Sequence, residues 1–382
     1  MIPYGKQSID ENDINAVVDV LKSDFLTQGP VVPKFESAFK DLVSSQYAIA
    51  VTNATSALHL ACLALGVGEG DAVWTSPISF VASSNCALYC GAKIDFVDID
   101  PITYNLCPEQ LEAKLENARK NGLTLPKVVI PVHMTGQSCD MQSIAKLAKE
   151  YGFKIIEDAS HAVGAYNQKK PVGSCYFSDI CVFSFHPVKI ITTGEGGMLT
   201  TNAKDISEKI HKLRSHGITR ETEQLIHKEQ GPWYYEQHDL GFNYRMTDIQ
   251  AALGLSQLSK LSDFIERRKQ IARTYNKLLK NLNIILPSDK QLDDSSWHLY
   301  VIQVSISDHK RIFSALRNKG IMVNLHYIPI YKQPFYQKIG FEYEYCANAE
   351  TYYKQAITLP IYPGLSFEKQ SYIVDQLSNL VV

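Results

Sequence analysis

The sequence contains no apolar run approaching the roughly 18 to 20 residues that a bilayer-spanning helix requires. A helical membrane protein is therefore excluded, and no membrane partner is expected. Neither sign of charge is in excess: 38 lysines and arginines face 40 aspartates and glutamates, for a net charge of −2 and a pI near 6.6. Without a basic footprint, nucleic acid is not an expected partner. No Cys-x-x-Cys pair occurs among the eight cysteines, which lie mostly inside apolar runs. They read as free, buried thiols of a reducing compartment. The opening Met1-Ile2-Pro3-Tyr4-Gly5-Lys6 lacks the apolar core of a signal peptide, which also points to the cytoplasm. The glycosylation-like Asn53-Ala54-Thr55 is then an accidental match. There is no internal repeat and no low-complexity stretch. Nor does a glycine fingerprint open the first strand-helix crossover, since Gly66-Val67-Gly68-Glu69-Gly70 follows a helix, and this argues against a dinucleotide-dependent enzyme.

What is present is organised around Phe183 to Gly197. An apolar strand, Ile180 to Ser184, runs into Phe185-His186-Pro187-Val188-Lys189-Ile190-Ile191 and then the small-residue turn Thr192-Thr193-Gly194-Glu195-Gly196-Gly197. A lysine beside branched aliphatics at a strand end is partly desolvated, which lowers its pKa and frees the amine as a nucleophile. A surface lysine beside a glycine turn is the competing reading. Upstream, Lys154-Ile155-Ile156-Glu157-Asp158 reads as a buried strand ending in an acid. Ligands of open parallel sheets gather outside the carboxyl ends of the strands, where Asp158 and Lys189 both stand.

The set Asp158-Ala159-Ser160-His161, Phe183-Ser184-Phe185-His186-Pro187-Val188-Lys189 and Thr192 to Gly197 resembles the sugar aminotransferases of the DegT/DnrJ/EryC1/StrS family, and the likeness extends over nearly the whole chain. The resemblance implies fold-type I and pyridoxal 5'-phosphate as cofactor. It implies that Lys189 is the catalytic residue and binds the cofactor aldehyde covalently, with Asp158 pairing the pyridinium nitrogen and His161 and Ser184 nearby. Phe80, in Pro77-Ile78-Ser79-Phe80-Val81-Ala82, matches the aromatic that stacks on the cofactor ring; by sequence alone an aromatic here is more often core, and only the family pattern reverses that. Thr55 and Ser56 open a nearly all-apolar helix whose free amides suit a phosphate, although an ordinary N-cap would serve this sequence as well. Asn243, in Gly241-Phe242-Asn243-Tyr244-Arg245-Met246, matches a residue that reaches a neighbouring subunit's cofactor phosphate, which implies a homodimer with shared sites. Thr27 and Gln28, Arg214 and His216, and His326 and Tyr327 are the implied substrate contacts. For Arg214 and His216 a structural role remains open, as it does for His186; His133 reads as a satisfied core histidine.

The implied substrates are L-glutamate and a nucleotide-linked 4-keto sugar. Dehydratases of the family carry histidine in place of the lysine, so Lys189 argues against that reaction. Finer matches at Pro77 to Ala82, Ser160-His161 and Phe185 to Lys189 resemble the branch that aminates a UDP-linked 4-keto-6-deoxy-N-acetylhexosamine for pseudaminic acid. Bacillosamine precursors, dTDP-hexoses and UDP-pentose are the other sugars in play, and a cofactor-binding regulator without turnover is a different class of reading.

Length admits two domains. Strands and helices alternate through the first 200 residues, which predicts an α/β domain with a mainly parallel mixed sheet between helices. We expect this large cofactor-binding domain over 1–250 and a smaller α+β domain over 251–382. Helices are expected at Asp10 to Lys22, Val31 to Val43 and Met141 to Tyr151, and a strand at Lys93 to Asp100. A further helix is expected to be capped by Thr247 and Asp248. Leu255 to Leu282 should form one long helix whose Glu266, Arg267, Arg268 and Lys269 make a solvated face.

Overall fold

The computed structural model describes residues 1–288 and 293–381. Its centre is a seven-stranded sheet made of β1 (Tyr47–Val51), β2 (Ala72–Thr75), β3 (Lys93–Phe96), β4 (Val128–Ile130), β5 (Lys154–Asp158), β6 (Ile180–Ser184) and β7 (Gly197–Thr201). The spatial order is β1-β7-β6-β5-β4-β2-β3. All neighbours run parallel except β7, which is antiparallel to both β1 and β6. The sheet is thus mainly parallel and mixed, as the alternation of elements predicts.

Both faces of the sheet are covered, so the strands read as continuous apolar runs. Ile49, Val51, Ile156 and Val182 pack with helices α3 (Ala54–Ala64) and α4 (Ala82–Tyr89) on one face. On the other face Ala48, Ala50, Phe183 and Phe185 meet Phe35 and Phe39 of α2 (Val31–Val43). Farther along that face Trp74, Val129 and Ile155 meet α5 (Pro108–Lys120) and α6 (Met141–Tyr151). Helix α6 stops where Gly152 turns left-handed at φ 81°, a conformation that glycine reaches without steric cost.

The carboxyl-terminal part has its own core, built around Tyr275, Tyr300, Ile302, Ile357 and Ile373. Strand Tyr300–Gln303 pairs antiparallel with Ala356–Leu359, and helices His309–Asn318 and Phe367–Ser378 flank the pair. Ile2–Pro3 pairs parallel with Ile321–Met322, so the start of the chain joins this layer.

Four local expectations are corrected. The strand from Lys93 ends at Phe96, because Asp98 turns away and accepts hydrogen bonds from the backbones of Asn348 and Ala349. The expected long helix is two, α8 (Asp248–Leu258) and α9 (Leu261–Leu279), divided at Lys260, whose ammonium reaches back to Asp10 and Asp13. Its supposed solvated face holds Arg268, which is 1% exposed and donates to the carbonyls of Trp297, His298 and Ile361. Finally, Thr247 alone caps α8. The fully buried Asp248 instead accepts from the amides of Gly29, Val31 and Val32, capping α2 from a distant part of the chain.

Candidate active site

A cavity of about 610 Å³ opens at the carboxyl ends of β5 and β6, between the sheet and the carboxyl-terminal layer. Thr55, Phe80, Asp158, His161, Ser184, Lys189, His326 and Tyr327 all line it. Strand β5 ends on Asp158, and β6 leads through a turn closed by the Lys189 amide on the His186 carbonyl, 2.9 Å. The following small-residue turn folds back on this loop. Thr192 donates to the Phe185 carbonyl and Thr193 to the Glu195 carbonyl, so both hydroxyls serve the turn itself.

Asp158 is 4% exposed and its carboxylate is held on both oxygens. Oδ2 accepts from Ser83 Oγ at 2.6 Å, and Oδ1 accepts from Ser160 Oγ at 2.6 Å and the Ser160 amide at 3.1 Å. Ser79 bonds Ser83 in turn. Three protein donors leave a carboxylate room for one more partner. Among the described residues, Lys189 has no carboxylate within ion-pair distance. Burial pushes its ammonium down to about 8, against the pull of the Asp158 charge. An amine so placed is available as a nucleophile near neutral pH.

The wall opposite is aromatic. His161 Nε2 and Tyr327 Oη share a hydrogen bond of 3.1 Å, and the two rings stack at 6.0 Å. Burial, then the charges of Lys189 and His326, hold His161 well below the usual histidine range. His326 is held at about 3 by burial and by Lys189, with Nδ1 on Thr358 Oγ1 and Nε2 against Asn324 Nδ2. Burial raises the Tyr327 phenol, with Tyr4 and Asp158 adding to it. The aromatic wall is therefore neutral at physiological pH, and the charges of the lining come from Lys189, Asp158 and Glu195. Phe80 is 61% exposed, its ring 6.5 Å from that of Tyr327. A large apolar ring left open on a cavity is a surface for another planar ring.

At the start of α3, Asn53 Oδ1 accepts from the Ser56 amide and Ser56 Oγ donates to the Asn53 carbonyl. Ser56 thus belongs to a capping box. The amides of Ala54 and Thr55 and the Thr55 hydroxyl have no protein partner among the described residues, and both residues line the cavity.

The remaining sequence-predicted residues, His186 apart, lie outside the cavity within one chain. Thr27 and Gln28 are exposed on a turn that bridges to Thr247. Arg214 pairs with Glu36 at 2.7 Å and donates to the Ala50 carbonyl. His216 is exposed, and its amide bonds the Phe242 carbonyl. Asn243 is also exposed, bridged to Ser215. His186 lines the cavity rim. His133 is fully buried between Glu157 and the Cys139 amide, away from the cavity. Sequence reasoning missed Tyr4, Asn53, Ser83, Glu195 and Asn324 among the lining residues. Ser83 was findable, standing one helical turn after Phe80; Tyr4 carried no local signal.

An amine lowered toward neutrality, a buried carboxylate with one vacant acceptor position and a helix end with free amides make up one constellation. The model of the DegT/DnrJ/EryC1/StrS aminotransferase family matches residues 7–378. The chain belongs to this family. A UDP-4-amino-4,6-dideoxy-N-acetyl-beta-L-altrosamine transaminase of Campylobacter jejuni is 37% identical over 100% of the chain and 98% of its own. The Helicobacter pylori aminotransferase PseC, "involved in the biosynthesis of pseudoaminic acid", superposes with a TM-score of 0.91 at 33% identity, covering 100% of this chain and 99% of its own. The PLP form of a sugar aminotransferase from Streptococcus pneumoniae gives 0.88 at 29% identity, covering 99% and 98%. As a member of the family, the chain is a sugar aminotransferase of fold-type I and uses pyridoxal phosphate. The residues present fit that group: the vacancy on Asp158 suits a ring N–H, Lys189 suits an aldehyde and the free amides of α3 suit a phosphate. Among the described residues no cluster could hold a metal, and no helix is long and apolar enough to cross a membrane.

Proposed function

We propose that the protein transfers the amino group of L-glutamate to carbon 4 of a UDP-linked 4-keto-6-deoxy-N-acetylhexosamine, giving the 4-amino sugar nucleotide that leads to pseudaminic acid. The observation that carries this reading is the partnerless, low-pKa Lys189 facing the buried Asp158 in one cavity, in a chain 37% identical to a transaminase named for that sugar. In this reading Lys189 holds the cofactor, Asp158 keeps its ring nitrogen protonated, and Phe80 lies on the ring. Thr55 and the α3 amides take the phosphate, with Ser56 securing the helix start, and His161 and Ser184 border the ring. When bound, the cofactor supplies an electron sink for the carbanion left by proton removal.

Lys189 Nζ is the group that moves the proton. With its pKa near 8, both protonation states are populated at working pH, as a general acid and base requires. His326 and Tyr327 border the sugar. Thr27, Gln28 and His216 contact the substrate at a homodimer interface, where Asn243 of one subunit completes the phosphate site of the other, and Arg214, paired with Glu36, supports them structurally. The exposure of Asn243 and of the Thr27-Gln28 turn supports this arrangement. The enzyme works in the cytoplasm, with a large domain over 1–250 and a small one over 251–382.

The test is amination of a panel of UDP- and dTDP-linked 4-keto sugars with glutamate as donor, with product configuration read by NMR. We expect the UDP-linked N-acetylhexosamine of the L series, whose amination gives the beta-L-altrosamine configuration, to have the highest kcat/KM. Preference for a dTDP-hexose, a bacillosamine precursor or a UDP-pentose would reassign the substrate. A cofactor band that no pair of substrates alters would leave only a binding protein.

A further inference from the structure

We infer that Tyr4 is a specificity-determining residue that hydrogen-bonds the sugar ring of the accepting substrate through its phenol; this rests on the sugar-aminotransferase reading above. The segment Ile2 to Gly5 ties two parts of the molecule together. Ile2 is buried in the carboxyl-terminal core and its amide bonds the Gly320 carbonyl at 2.7 Å. The Tyr4 carbonyl accepts from the Ile361 amide at 2.9 Å. Gly5 then lies against Val188, the residue before Lys189. Tyr4 is fixed between these two points and lines the cavity beside Val188, Leu325 and His326.

Three rings make up this part of the wall, and on one of them the polar atom has no partner among the described residues. Both nitrogens of His326 are engaged, by Thr358 and Asn324. The Tyr327 hydroxyl is engaged by His161. The half-buried Tyr4 packs its ring 4.9 Å from that of His326, and its hydroxyl has no partner among the described residues. A hydroxyl held on a mostly apolar cavity wall is a donor and acceptor that fixes a ligand's orientation.

Position decides which portion of the substrate it meets. The carbon that receives nitrogen must come within reach of Lys189 Nζ, and Tyr4 is set against the loop that carries that lysine. The nucleotide, separated from that carbon by the rest of the sugar ring and two phosphates, extends away from the lysine. Glutamate carries no sugar, so the two half-reactions separate the roles.

The experiment uses the full-length holoenzyme and its Tyr4→Phe and Tyr4→Ala variants, with each half-reaction followed on the cofactor's visible band. Tyr4→Phe keeps the ring and removes one neutral hydrogen bond. It should raise the KM for the UDP-4-keto sugar about 2- to 12-fold, the fold-change of about 0.5–1.5 kcal/mol, and lower the ratio of sugar-side to glutamate-side efficiency by the same factor. Tyr4→Ala should lower that ratio further. An unchanged ratio in Tyr4→Phe overturns the assignment, as does an equal loss in both half-reactions, which would mean a general disturbance of the site. Should Tyr4→Ala fail to fold, Tyr4→Phe still decides. Failure of the functional reading has a different signature: the wild-type band would respond to neither glutamate nor a 4-keto sugar nucleotide.

Discussion

A lysine ammonium ordinarily loses its proton at about 10.5, and burial moves that of Lys189 to about 8. The direction follows from solvation, since a charge taken out of water without a close partner is destabilised, and Asp158 offsets only part of that cost. The neutral fraction of the amine therefore rises with pH, from about a tenth at pH 7 to about nine-tenths at pH 9. Covalent capture of pyridoxal phosphate by the apoprotein should accelerate over this range with a midpoint near 8 and then level off, read by the growth of the visible band. An unshifted lysine would still be accelerating above pH 9. Lys189→Ala should abolish the band and lower amination by at least about 10²- to 10⁴-fold, the usual contribution of a positioned acid-base group. Undiminished product from that variant would refute the mechanism. That Lys189 and Asp158 stand at the ends of apolar strands was legible in the sequence, while the role given to each came from the family's motifs, because a surface lysine beside a glycine turn carries the same local signal.

Among the elements, α2 depends on a residue far away in sequence. Its N-cap position is Pro30, which makes no side-chain cap, and the missing acceptor comes from Asp248 at the start of α8. One buried carboxylate thereby satisfies three amides and pins the Thr27-Gln28 turn against Thr247. Asp248→Ala should destabilise the protein by about 1–3 kcal/mol or more, because the donors are left buried and unpaired. The midpoint of a denaturant titration measures this, and Asp248→Asn, which keeps an acceptor, should recover part of the loss. A midpoint unmoved by Asp248→Ala would show that water satisfies these amides. The sequence pointed to Asp248 as a cap for its own helix, since Ser, Thr, Asp and Asn before an apolar run carry the same local signal whichever helix end they serve. Arg268 shows the same limit: its neighbours Glu266, Arg267 and Lys269 are charged, and only the packing of α9 under Trp297 and Ile361 buries it.

For the whole molecule, the proposed dimer makes a quantitative statement. If Asn243 of one subunit serves the other's phosphate site, then mixing Lys189→Ala with Asn243→Ala subunits creates heterodimers with one wholly native site and one carrying both lesions. At limiting cofactor the mixture should exceed the activity of either variant alone, after unfolding and reassociation to exchange subunits. Activity no higher than the average of the two would place Asn243 outside a shared site. Sedimentation of the native enzyme should give the mass of two chains, twice 42.9 kDa.

The sequence by itself determined the layered α/β architecture, the order of its strands along the chain, and the standing of Asp158 and Lys189 at the carboxyl ends of two of them. These are local properties: apolar periodicity, helix caps, and charged groups at strand ends. Only the tertiary structure decided which side chains share the cavity. It brought Tyr4 from the start of the chain into the cavity that Lys189 lines, set Ser83 and Ser160 on Asp158, and withdrew Ser56 and Arg214 into structural bonds. The physical reason is that a hydrogen bond or a desolvation penalty depends on distance in space, and residues far apart in sequence leave no local mark of meeting.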